Sequence, residues 1–239
     1  MANGIYSALS GASGRESAMQ VLANNMANVG TSGFKRDQVT FKEVLAEADG
    51  VVNLTHRQVR MDSVETDFSP GGLNLTGNRL DVAVLGDGFF EVDTPEGKRY
   101  TRAGAFALNG DGEMVTADGH KVMGTGGPIQ IPQNQKAMIV DNGLVMAGEI
   151  EVGRLKVVEF SDRKSLKRAG HNLWLSPVNQ KSQEVENLRL AVGAVERSNV
   201  SPVKAMTDLI RVSRHYESLL KAVDTFGTAD RRTVSDLGR

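Results

Sequence analysis

Four histidines, His56, His120, His171 and His215, are spread along the chain, and none has the close second donor through which a helix or finger holds zinc. They read as surface or structural residues. Asn109-Gly110-Asp111-Gly112-Glu113 places oxygen atoms at alternate positions, as a calcium loop does. Its sixth position is Met114 where that loop needs glycine, and its twelfth is His120 where it needs glutamate, so a hairpin turn explains it better. Gly86-Asp87-Gly88 and Gly124-Thr125-Gly126-Gly127 lack the third-glycine spacing and the following Lys-Ser/Thr that cradle phosphate, and they read as tight turns. Ser161 with Lys164 and Ser201 with Lys204 have the Ser-x-x-Lys shape of an activated serine, but neither has a companion motif. Glu91 and Asp93 share a strand face, the first requirement for paired acid and base work. Alternation with Phe90 and Val92 makes that face the solvated one. No catalytic residue, metal or cofactor is expected.

Composition narrows the classes further. The 28 Lys and Arg residues balance 29 Asp and Glu among 239 residues, so no global field draws the chain to nucleic acid or an anionic membrane. Cysteine is absent, which removes disulfides and thiolate chemistry. The start MANGIYSALSGASG has no basic region and no long apolar run. A cleaved secretory signal and membrane insertion are therefore not expected, and any export must use another route. Glycine is abundant at 26 residues and aromatics make up 5%, which fits turns and thinly cored sheet.

The elements fall into zones. The expected fold class is α+β, a mainly β central domain with long coiled-coil-forming α-helices at both termini. The expected boundaries are an N-terminal helix region over 1–34, an extended arm over 35–78, an antiparallel β domain over 79–182, a return arm over 183–200, and a C-terminal helix with a polar tail over 201–239. The first helix runs from Asn3, its N-cap, to about Val29. Ile5, Ala12, Met19 and Met26 form one heptad column, and Ala8, Leu22 and Val29 form the second, interrupted by Arg15. The last helix starts with Ser201 as N-cap and Pro202 at its first position. Its columns are Ala205, Val212, Leu219 and Phe226, then Leu209, Tyr216 and Val223.

Two seams of this kind need burial, either against each other in one molecule or between copies. Met206, Ile210 and Leu220 lie just off the C-terminal seam and widen its apolar face beyond what a single partner covers, which favours assembly over a solitary hairpin. Asn24, Asn25 and Asn28 crowd the end of the first helix. Asn24 and Asn28 are i,i+4 neighbours able to bond each other or a neighbouring subunit.

Three separated blocks then carry a resemblance. Ala23-Asn24-Asn25-Met26-Ala27-Asn28-Val29-Gly30-Thr31-Ser32-Gly33-Phe34-Lys35 resembles the N-terminal signature of the flagellar basal-body rod and hook family. Asn78-Arg79-Leu80-Asp81-Val82-Ala83-Val84 with Gly86-Asp87-Gly88-Phe89-Phe90 and Tyr100-Thr101-Arg102-Ala103-Gly104 resembles its β-domain core. Ser198-Asn199-Val200-Ser201-Pro202-Val203 and the helix behind it complete the match. Length and the ending Thr228-Ala229-Asp230-Arg231-Arg232 look most like the proximal-rod branch, with a distal-rod or hook-like subunit as the alternative.

The resemblance implies a structural subunit without enzymatic activity. It would pass through the flagellar type III export apparatus without signal cleavage and pack helically with copies of itself and other rod proteins. The product would be a periplasmic shaft that surrounds the export channel and carries motor torque. The subunit interface so implied comprises both heptad seams with Asn24, Asn25, Asn28, Gly33 and Phe34. Outside this class stands a secreted carbohydrate-active or adhesive β domain, which would need an aromatic platform or a carboxylate pair in a cleft.

Overall fold

The N-terminal seam residues from Ile5 to Met26 sit on a helix, α1 (Ala2–Ala27), in which Ala8, Ala12 and Ala18 are buried. These contacts come from a computed structural model that describes residues 2–48, 51–132, 135–177, 180–185 and 187–237. The helix stops short of Val29 because Asn28 turns the chain. Its carbonyl accepts from Thr31 N at 3.2 Å and its Oδ1 accepts from Thr31 Oγ1 at 3.1 Å, the local competition that disfavours asparagine inside helices. The C-terminal helix, α2 (Pro202–Leu237), begins where expected. Proline has no N–H to waste at a helix start, and the first intrahelical bond runs from Ala205 N to Ser201 O at 2.9 Å. With 26 and 36 residues, the helices are about 39 and 54 Å long at about 1.5 Å per residue.

Two compact units result. The first combines Met1–Ala27, Asp37–Asp67 and Val200–Arg239, and the second combines Asn28–Arg36 and Phe68–Asn199. In the helical unit, α1 packs against α2 and against a two-stranded antiparallel sheet of β1 (Asp37–Ala48) and β2 (Val51–Thr66). This sheet occupies most of the stretch expected as an extended arm. Its open end is tied by Thr66 Oγ1 donating to Asp37 Oδ1 at 2.6 Å and by Gln38 Nε2 donating to Asp67 Oδ2 at 3.1 Å.

The β unit is built on a sheet in which Lys167–Arg168, Trp174–Leu175, Gly97–Thr101, Phe89–Thr94, Lys121–Gly124, Met114–Thr116 and Phe106–Leu108 lie side by side in that order. A separate three-stranded sheet holds Ala137–Ile139, Leu144–Ala147 and Ile150–Arg154. Late strands return to early ones, with Leu190–Val192 beside Val82–Val84 and Ala194–Glu196 beside Leu73–Leu75. Strand Phe89–Thr94 separates two cores. Phe90 belongs to one with Phe106 and Met114, and Phe89 belongs to the other with Phe160 and Trp174, as a period of two dictates.

That double cover overturns the expectation for Glu91. The residue is not solvated: it is buried, with its carboxylate 3.1 Å from Lys98 Nζ and 3.0 Å from Lys156 Nζ, and only Asp93 reaches water. The sequence pattern had assumed one covered face where the fold covers two. The Lys98 ammonium is held above its usual range, first by its hydrogen bond to Glu91.

Candidate functional site

The helical unit carries the seams. Gly11 of α1 faces Leu219 of α2 so closely that a Cβ there would lie 3.4 Å from Leu219 Cδ1, and the small residues Ala8, Ala12 and Ala205 are buried alongside. Ile5, Met19, Leu22 and Met26 of α1, and Leu209, Val212, Tyr216, Leu219 and Val223 of α2, are half-buried. Within one chain these seam residues are therefore partly covered, while Phe226 of the C-terminal seam is open to solvent. What stays uncovered lies mostly outside the seams. Half or more of each of Tyr6, Leu9, Val203, Met206 and Ile210 is exposed, and Leu220 and Phe226 are also open to solvent. Val203, Met206 and Ile210 stand at i, i+3 and i+7 and so share one face of α2.

The asparagines divide. Asn25 is buried and satisfied inside the chain, its Nδ2 donating to Asp37 O at 2.7 Å and its Oδ1 accepting from Asp37 N at 2.9 Å, which ties the start of β1 to α1. Asn24 is exposed on α1, and Asn28 shapes the turn already described. Val29 is half-buried, and Gly33 and Phe34 are buried in the β unit. The last two belong to a constellation that spacing could not disclose.

In that constellation Glu196 is the hub. Lys35 Nζ bonds its Oε1 and also donates to Ser69 O at 2.9 Å, Gly71 N donates to Oε1 at 2.9 Å, and Arg102 Nε lies 3.7 Å from Oε2. Lys35, Arg102 and Glu196 are all buried. Burial pushes the Arg102 guanidinium below its ordinary pKa, and the Glu196 charge opposes that shift. Gly33 sits at φ +68 and donates from N to Glu196 O at 2.7 Å. A Cβ there would press 2.5 Å from Ala103 N and 2.6 Å from Arg102 O, so glycine is required twice over. Arg168 donates to Lys35 O at 2.6 Å, and its guanidinium carbon stacks 4.7 Å from the Phe34 ring centre and 4.6 Å from that of Trp174. Asn172 Nδ2 donates to Ser32 O at 2.8 Å, and Arg36 N donates to Asn199 Oδ1 at 2.8 Å. Lys35 and Asn199 stand inside two of the quoted blocks, and their chemistry was the available signal. Their partners lie 161 and 163 residues away in sequence, which hid the pairing.

The other chemical candidates resolve into structure. Asn109 Oδ1 accepts from Asp111 N at 3.0 Å and Glu113 N at 2.9 Å, so the calcium-like loop holds itself as a turn. Glu113 in turn pairs with Lys121 at 2.6 Å, which holds the carboxyl below and the ammonium above their ordinary ranges. Among the described residues no group of three or more His, Asp or Glu side chains is placed to hold a metal ion. Trp174, which an aromatic sugar platform would need, is fully buried beside Phe68 and Phe89.

Comparison with known proteins bears on the whole chain. Residues 5–35 match the family model of the flagella basal body rod protein, residues 83–147 that of the flagellar hook protein FlgE/F/G D1 domain, and residues 191–235 that of the flagellar basal body rod FlgEFG protein C-terminal region. The flagellar basal-body rod protein FlgF of Caulobacter vibrioides is 35% identical, with 100% of this chain and 99% of the relative covered. FlgG of Bacillus subtilis is 32% identical over 94% of this chain and 95% of its own length. FlgF of Salmonella typhimurium is 32% identical over 93% of each.

Proposed function

Because this chain belongs to the flagellar basal-body rod protein family and is a structural subunit of the flagellar rod, we propose that it is a proximal-rod subunit of FlgF type that self-assembles helically through α1 and α2. The observation that carries the reading is the uncovered stripe of Val203, Met206 and Ile210 on a helix whose seam already has a partner. The seam residues hold α1 on α2 with coiled-coil-like packing. Tyr6, Leu9, the α2 stripe, Leu220 and Phe226 then meet neighbouring subunits, with Asn24 at the rim.

Contacts between two different patches, repeated without closing into a ring, generate a tube, and staggered contacts along it resist shear when torque is applied. The subunit reaches its periplasmic place through the flagellar type III export apparatus without signal cleavage. The likeness to FlgG supports a distal-rod position as a second reading, which labelled subunits located along purified rods distinguish.

The test is Met206→Asp with Ile210→Asp. Both positions are exposed in the single chain, so its stability should move by no more than about 0.5 kcal/mol per site. Assembly would bury two unpaired charges, and incorporation into basal bodies and swimming should be lost. Normal swimming sinks the proposal. Leu219→Asp is a poorer probe, because Leu219 also packs on Gly11 and its loss mixes folding with assembly.

A further inference from the structure

Each terminal helix carries a second heptad face besides the seam that joins it to the other. On α1, Tyr6, Leu9, Ser13, Glu16, Gln20 and Ala23 recur at steps of three and four residues, and all are exposed. On α2, Val203, Met206, Ile210, Glu217, Leu220 and Asp224 follow the same steps across half-buried Ser213, and all are exposed. Glu16 is the acid of the α1 face, and exposed Arg214 flanks the α2 face. The nearby Arg211 is already paired with Asp208 at 3.1 Å, whereas Glu16 and Arg214 have no ion pair among the described residues.

Helix direction fixes how the two faces can meet. Asn199 N donates to Phe34 O at 3.3 Å, which brings the end of α1 and the start of α2 together, and Gly11 faces Leu219 further along both helices. The helices of one chain are therefore antiparallel. Helical symmetry keeps the direction of every helix along the tube axis, so α1 of one copy also runs antiparallel to α2 of the next. Glu16 and Arg214 lie equally far from the Gly11 and Leu219 contact, hence at one height. On the same scale Leu9 is level with Lys221 and Ala27 with Val203, while Ala23 stands close to the level of Met206. Large apolar side chains at the start of α2 thus face small ones on α1, and the free acid faces the free base.

We propose, on the basis of the self-assembly inferred above, that the outward face of α1 docks on the outward face of α2 in the next copy, antiparallel and without axial slip, with Glu16 against Arg214. The contact joins two different patches, so it repeats from subunit to subunit as a tube requires.

Charge exchange in the full chain tests the pairing. Glu16→Arg and Arg214→Glu each set like charges against each other at every interface. Each should lower incorporation into basal bodies at least about tenfold, and the chain carrying both changes should recover it. Both positions are exposed, so the Tm of the free chain should not move. The chain has no cysteine, so Leu9→Cys with Lys221→Cys should link copies into dimers and larger species when purified basal bodies are oxidised. Leu9→Cys with Val203→Cys should not, because Val203 lies about 27 Å from Lys221 along α2. The pairing is overturned if either single charge change incorporates normally, if the double change does no better than the single ones, or if the Leu9 and Lys221 cysteines leave the copies unlinked. Any of these together with lost incorporation of Met206→Asp with Ile210→Asp removes the pairing and leaves the assembly standing, whereas normal swimming of that last variant removes the assembly itself.

Discussion

Substituting Glu196 removes the carboxylate nearest two buried cations, and the structure ranks that change against its neighbours. In Glu196→Gln the shape and one acceptor oxygen survive, so Gly71 N and Lys35 Nζ keep a hydrogen-bond partner at Oε1. The charge does not survive, so Lys35 loses the ionised partner at its Nζ and Arg102 the carboxylate 3.7 Å from its Nε. Breaking a buried ion pair from one side costs about 3–5 kcal/mol, a large share of the roughly 5–15 kcal/mol that hold a domain together. Lys35→Met should cost less, about 1–3 kcal/mol, because it forfeits charged hydrogen bonds but leaves Arg102 and Glu196 as a pair. The double variant should depart from additivity by about 0.5–3 kcal/mol, since both changes act on one network. Urea unfolding followed by tryptophan fluorescence is the natural assay. The chain has one tryptophan, and Trp174 is buried in the β unit with Arg168 stacked on it. If Glu196→Gln proves no more damaging than Lys35→Met, Glu196 is not the hub of the cluster.

Further expectations concern single positions. Gly33→Ala should destabilise by about 2–5 kcal/mol, from about 1–2 for a left-handed backbone and about 1–3 for overpacking against Arg102 and Ala103. Gly30→Ala, which meets open space, should change stability by less than about 0.5 kcal/mol, and chemical denaturation compares the two. For Glu113 and Lys121 the sign differs at the two ends of the pH scale. The carboxyl is depressed from 4.5, so its contribution is present above that value and is lost as pH falls through the folded pKa; the ammonium is raised from 10.5, so its contribution is present below that value and is lost as pH rises through the folded pKa. The Tm difference between the protein and Lys121→Met should therefore be flat across neutral pH and shrink at both extremes. A difference that peaks near pH 7 and disappears by pH 6 or 8 contradicts the pairing.

Local periodicity carried what was legible. The start of α2 at Ser201 and Pro202 was readable because capping chemistry is a property of adjacent residues. The turns at Asn109–Glu113 were readable for the same reason. The end of α1 was misplaced by two residues because Asn28 favours its own hydrogen bond with Thr31 over another helical turn. Glu91 was misread because alternation reveals that one face is apolar and says nothing about whether the other face is covered too. The cluster around Glu196 was invisible for a stricter reason. A buried lysine and arginine look in sequence like any solvated cations, and only the return of Ala194–Glu196 to Leu73–Leu75 brings the carboxylate to them.

The same distinction separates the two apolar surfaces of the helical unit. A heptad column identifies residues that want cover, and Ala8, Ala12, Leu209, Val212 and Leu219 obtain it, in part or in full, from within the unit. Periodicity also showed that Met206, Ile210 and Leu220 exceed one seam, because the width of a stripe is set by angle around a helix. It did not single out Tyr6, Leu9 or Val203, whose exposure depends on where the partner helix runs. The residues left over after pairing within the chain are therefore the informative ones for assembly. Each would lose apolar surface to water only if a neighbour covers it, at about 25 cal/mol per Å2, and a rod repeats that gain at every subunit. Under the proposed assembly one substitution recurs at every interface, so Met206→Asp with Ile210→Asp should abolish the shaft while leaving the monomer intact.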